Sequence, residues 1–87
     1  MRQPGRWMQL PSDERILEML HATGIVLSPA VININMDISR EHITRRLSTL
    51  ADYGLVNRVE RGYYEISDLG VQYLEGDLDA NALDPDR

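Results

Sequence analysis

Helix-capping serines and helix-ending glycines recur along this chain at intervals too short for any long element. Ser12, Ser28, Ser39 and Ser67 each head an apolar run, and Gly24, Gly54 and Gly76 close three of those runs. A serine hydroxyl accepts one of the orphan N–H groups at a helix start, and glycine supplies the left-handed residue that ends a helix. The chain must therefore fold as several short elements around a shared core. Its 87 residues, 43% of them hydrophobic, suffice for one such core and leave no length for a second domain.

The spacing predicts the elements. With Ser12 as cap, Asp13 and Glu14 suit the positive end of a first helix, and Ile16, Leu17 and Leu20 form its apolar side. Ile25-Val26-Leu27 has the length and character of a short strand. Ser28-Pro29 then opens a short second helix over Ala30–Ile34, with a strand as the competing reading because the segment is β-branched. Ser39 caps a third helix from Arg40 to Tyr53, whose Ile43, Leu47 and Leu50 form one stripe. Ser67 caps a last helix from Asp68 to Glu75.

Between Gly54 and Ser67 the pattern predicts a hairpin, Leu55–Glu60 and Tyr63–Ile66, joined by a two-residue turn at Arg61-Gly62. That turn pairs Glu60 with Tyr63, Val59 with Tyr64, Arg58 with Glu65 and Asn57 with Ile66. It collects Leu55, Val59, Tyr64 and Ile66 on one face and makes Arg58–Glu65 a cross-strand charge pair.

Helix, short strand, helix, helix, hairpin, short helix is the order of a winged helix-turn-helix. The expected class is α+β and mostly helical, with a three-helix core, a short strand plus two-stranded wing, and a short C-terminal helix. Residues 12–76 form the domain, residues 1–11 an N-terminal arm held by Trp7 and Met8, and residues 77–87 an acidic mobile tail.

Charge at first argues against nucleic acid. The formal net charge is −5, and phosphate repels an acidic chain. The acid is unevenly placed, however. Residues 39–62 carry five arginines against three acids, whereas residues 63–87 carry seven acids and only Arg87. Every basic residue is arginine.

The absence of cysteine removes disulfides, thiolate metal sites and cysteine nucleophiles. No apolar run approaches the ~20 residues that cross a bilayer, so no membrane partner is expected. The start of the chain lacks the apolar segment of a signal peptide, which makes the cytoplasm the expected location. His21 and His42 are the only histidines, and no HExxH, GxSxG or phosphate-loop pattern occurs. No enzyme, metal or cofactor is expected. His21 suits the negative end of the first helix, and His42 stands where it can meet DNA or solvent.

The third helix carries the candidate site. Arg40, Thr44, Arg45 and Ser48 share its outer face, as a recognition helix in a major groove requires. Arginine grips guanine O6 and N7 with two prongs, and serine and threonine bond bases or phosphates. A merely solvated helix face is the competing reading. Arg61 tips the wing, where backbone contact is natural. Ser28 and Ser39 start helices whose free N–H groups can hold phosphate, although capping alone explains both. Arg46 lies beside the apolar stripe, so its stem covers core edge and its head meets a carboxylate or a phosphate. Trp7, Met8, Tyr63, Tyr64 and Tyr73 are expected in the core or an interface. Leu69 and Tyr73 take one side of the last helix and Gly70, Val71 and Leu74 the neighbouring one, which leaves one side for a second copy. A homodimer would set DNA half-sites ~34 Å apart.

Several segments resemble the small winged-helix proteins of halophilic archaea described as phage phi-H repressor-like. They are Trp7-Met8, Asp13–Glu18, Leu27–Ile32, Arg45-Arg46-Leu47, Tyr53–Val56 and Arg61–Ile66, within residues 7–76. The resemblance implies a DNA-binding transcriptional regulator. It also bears on the charge, because acidic, lysine-free chains resemble proteins of molar-salt cytoplasm. The Debye length there is ~3 Å, so phosphate repulsion is screened while short-range arginine forks keep their value.

The expected function is therefore a sequence-specific regulator, a repressor, that binds double-stranded DNA in high salt. A protein-interaction module on the same fold is the alternative, since fold alone does not fix function.

Overall fold

The computed structural model describes residues 1–85. Helix α1 (Ser12–Thr23) is followed by α2 (Pro29–Asn35) and α3 (Arg40–Asp52), then by strands β1 (Val56–Glu60) and β2 (Tyr63–Ile66), and by α4 (Asp68–Glu75). A single 3₁₀ turn, Ala80–Ala82, comes last. This is the winged helix-turn-helix arrangement. Leu27 supplies the short first strand as one antiparallel bridge to Tyr64, with N···O distances of 2.8 and 2.9 Å.

Three serine caps form as the spacing predicts. Ser28, Ser39 and Ser67 accept from the N–H of Val31, His42 and Gly70. Ser67 also donates to the Gly54 carbonyl at 2.6 Å, tying the end of α3 to the start of α4. The segment after Ser28 is helical, not extended. Ser12 departs from expectation: it is already helical, and its hydroxyl donates to the Gln9 carbonyl. The Asp13 carboxylate closes that end instead, accepting from the Gln9 N–H at 3.0 Å.

Ile16, Leu17 and Leu20 of α1 meet Ile32 of α2 and Ile43, Leu47 and Leu50 of α3 in the core, which Leu55, Val56, Tyr64 and Tyr73 complete. Helix α4 packs inward through Gly70 and Tyr73, with Val71 and Leu74 half-buried, and leaves Asp68, Leu69, Gln72 and Glu75 exposed. Tyr73 is fully buried, and a Cβ on Gly70 would lie 2.3 Å from the Leu55 carbonyl, so only glycine fits there. Tyr63, expected in the core or an interface, is 46% exposed.

The wing register also differs. Val56 faces Ile66, Asn57 faces Glu65 and Arg58 faces Tyr64, with a bulge before Glu60 faces Tyr63. The physical reason lies in the turn. A two-residue hairpin of type I′ needs positive φ at both turn residues, and type II′ needs glycine first. Arg61 stands first and has no positive φ, whereas Gly62 has φ of 82°. The chain adopts a bulged turn instead, closed by a left-handed glycine. Every pair beyond the bulge moves by one residue, so Val59 turns outward and Arg58 is separated from Glu65.

The arm is held by Trp7 as expected, and the described part of the tail, expected to be mobile, packs against it. Trp7 stacks flat on Tyr53 with ring centroids 3.7 Å apart, and its Nε1 donates to the Ala80 carbonyl. Ala80 is fully buried, and Gln3 pairs with Asp79 in a parallel bridge. Arg2 donates to the Leu74 carbonyl and to Glu18, joining the arm to α4 and α1. Asp86 and Arg87, the end of the expected tail, lie outside the described residues.

Candidate nucleic-acid interface

Two adjacent arginines of α3 have opposite environments. Arg46 is buried, and its Nε and Nη2 each donate to a different oxygen of Asp13 at 2.8 Å. Those hydrogen bonds raise the guanidinium pKa above its usual value, against the opposing effect of burial. Arg46 therefore meets a carboxylate, one of its two expected partners. Arg45, one residue earlier, projects into solvent and makes no ion pair among the described residues. A helical step of 100° separates a structural arginine from a free one.

Arg40 and Thr44 share Arg45's exposure, and Ser48 is half-buried at the same face. Two shallow concavities run along it. One is lined by Arg40, Glu41, Thr44 and Arg45, and the next by residues that include Thr44, Arg45 and Ser48. The four candidates on α3 are thus contiguous. Arg61 stands exposed at the wing tip. Ser28 and Ser39 have their hydroxyls engaged as caps. His42 turns towards α1, its Nε2 lying 3.4 Å from the Ser12 hydroxyl.

Arg58 is the residue the expected register misplaced. Released from Glu65, it sits over the Tyr64 ring, 5.9 Å from the centroid, and its Nη2 donates to the Ser48 hydroxyl at 3.1 Å. The wing and α3 are thereby joined, and Arg58 lies beside the exposed face of α3. The signal was present in the sequence, because arginine first and glycine second disfavours both the type I′ and the type II′ turn.

A helix-turn-helix whose third helix presents exposed arginines and hydroxyl groups beside a hairpin wing tipped by Arg61 defines a DNA-binding protein of the winged-helix class. The comparisons with known proteins narrow that class. The chain belongs to the winged helix-turn-helix phage repressor family, whose model matches residues 1–86. It is similar to the PhiH1 repressor-like protein from Haloarcula marismortui. The crystal structure of that protein is 37% identical in sequence and aligns with a TM-score of 0.87, covering 98% of this chain and 97% of the other. No curated protein matches the chain. The protein is a DNA-binding transcriptional regulator. Among the described residues no helix is long and apolar enough to cross a membrane.

Proposed function

We propose that this protein represses transcription by laying α3 in the major groove of its operator, in molar salt inside the cell. Arg45 and Arg40 grip base edges or phosphates, Thr44 and Ser48 add hydroxyl contacts, and Arg61 reaches the flanking backbone. The N-termini of α2 and α3, at Ser28 and Ser39, face phosphates through backbone N–H groups. The observation that carries this reading is the contrast between Arg45 and Arg46. The fold pairs one guanidinium with Asp13 and leaves its neighbour without a protein partner among the described residues.

The test is a mobility-shift assay on DNA from the protein's own promoter region, run in high potassium chloride. Wild type should give a discrete complex, and Arg45→Ala should weaken it. Full affinity and specificity in Arg45→Ala would sink the assignment.

A protein-docking role, including self-association, draws on a different observation. Ile25 is 59% exposed and Ile34 80% exposed, with Val26 and Val31 also uncovered at 40%. Recovery of a stoichiometric protein partner in high salt, with no DNA, would favour it.

A further inference from the structure

We propose that Thr44 and Ser48 read DNA with opposite hydrogen-bond polarity, Thr44 as an acceptor and Ser48 as a donor, and that Arg58 fixes the polarity of Ser48. The proposal rests on α3 being the recognition helix. A hydroxyl has one hydrogen to give and two lone pairs to receive. Commitment of that hydrogen inside the protein decides what the group offers outward.

Thr44 has spent its hydrogen. Its Oγ1 donates to the Arg40 carbonyl at 2.9 Å, the back-bond that a hydroxyl makes to the preceding turn. The side chain is exposed, so lone pairs are what it presents. A phosphate oxygen, which only accepts, cannot satisfy them. The major-groove donors are the amino groups of adenine N6 and cytosine N4. Thr44 is thereby a base reader and not a backbone contact.

Ser48, one turn further along the same helix, is in the reverse state. Its oxygen receives the Arg58 guanidinium at 3.1 Å, and it makes no back-bond among the described residues. The nearby cation polarises the O–H and repels an approaching amino group. The free hydrogen selects an acceptor, either a base atom such as purine N7 or a phosphate oxygen. Arg58 acts through Ser48 and is a positioning residue. Its own place is set by the bulge that puts it opposite Tyr64. It has no ion pair among the described residues, although Glu60 and Glu65 belong to the same hairpin.

The experiment pairs protein variants with single-atom changes in the operator, measuring affinity in high potassium chloride. At each adenine, purine replaces the base to delete the N6 amino group. At each cytosine, 2-pyrimidinone deletes the N4 amino group. One such deletion should weaken wild type by roughly five- to hundredfold and leave Thr44→Val unaffected. For Ser48, 7-deaza purines test a base acceptor and methylphosphonate linkages test a phosphate. One of these should cost wild type but not Ser48→Ala or Arg58→Ala. The double variant should lose no more than either single, and Arg58→Lys, which keeps a donor, should restore the discrimination. Thermal unfolding of each variant separates misfolding from misreading.

Amino deletions that weaken wild type and Thr44→Val alike would overturn the acceptor role. An Arg58→Ala variant that still discriminates the acceptor sensed by Ser48 would overturn the positioning role. Loss of binding in Arg45→Ala with all of these cycles flat would sink this inference alone. Absence of any wild-type complex would sink the function on which it rests.

Discussion

Asp13 and Arg46 form a two-pronged ion pair between the first turn of α1 and the middle of α3, with both N···O distances 2.8 Å and the carboxylate fully buried. The same guanidinium donates to the Trp7 carbonyl at 3.3 Å, and the same carboxylate accepts from the Gln9 N–H. One charge pair thus fixes the arm, α1 and the recognition helix against each other. Removing one member strands the other charge where water cannot solvate it.

Asp13→Ala or Arg46→Ala should therefore cost about 3–5 kcal/mol of stability. Replacing both by apolar residues of similar volume should cost far less, since no buried charge is then left unpaired. Urea unfolding of both singles and the double measures this directly. A single variant within about 0.5 kcal/mol of wild type would contradict the burial of the pair.

Tyr73 gives a pH signature. Burial first, and then its 2.6 Å hydrogen bond to Glu14, raise the phenol pKa above the usual value of 10.0. The folded protein thus keeps the proton that the unfolded chain releases. Stability from this group is complete below about pH 10 and declines as pH rises through that value and beyond. Wild type should lose urea resistance between about pH 9 and about pH 11 more steeply than Tyr73→Phe. Equal slopes would show that the phenol does not carry the effect. At neutral pH the same variant should cost roughly 1.5 kcal/mol, the value of a hydrogen bond to a charged acceptor.

Two glycines should respond differently to alanine. At Gly24 nothing lies within 4 Å of an added Cβ, but φ is 65°, so Gly24→Ala should cost about 1 kcal/mol through backbone strain alone. At Gly70 the new carbon would sit 2.3 Å from the Leu55 carbonyl and 2.6 Å from Ile66 Cγ1. Gly70→Ala must push α4 off the wing base, at a cost above about 3 kcal/mol. Thermal melting of the two variants compares them, and similar losses would contradict the close packing of α4.

The parts legible in the sequence were those decided locally. Capping at Ser28, Ser39 and Ser67 and the stripe of Ile43, Leu47 and Leu50 depend on spacing within one element, and they place α3 and its outer residues correctly. Ser12 misled because Asp13 and Gln9 close that helix end together, a reciprocal arrangement with no serine signature. The wing register misled because alternation alone favoured putting Val59 inside, whereas the backbone limits of Arg61 decided the turn. Arg46 was legible only as a choice between carboxylate and phosphate, since Asp13 lies far away in sequence. The packing of Trp7 on Tyr53 and of Ala80 beneath the arm is wholly tertiary. The charge count ran the other way: local sorting by segment exposed the basic middle that the net −5 conceals.

That net charge yields the last prediction. Glu75 and Asp77 are exposed acids at the end of α4 and have no ion pair among the described residues. At about 0.1 M salt the Debye length is ~10 Å, so such acids add to the field that opposes phosphate. At about 1 M it is ~3 Å, and only groups in contact with DNA still matter. Glu75→Gln with Asp77→Asn should therefore raise DNA affinity at the lower salt and leave it unchanged at the higher. Arg45→Ala should lose roughly five- to hundredfold at both, because a hydrogen-bonded fork acts within a few ångströms. Titrations of the three proteins across potassium chloride concentrations separate the two effects. A neutralised variant that binds more tightly even in molar salt would show that acidity opposes the complex at short range and is not merely screened by the solvent.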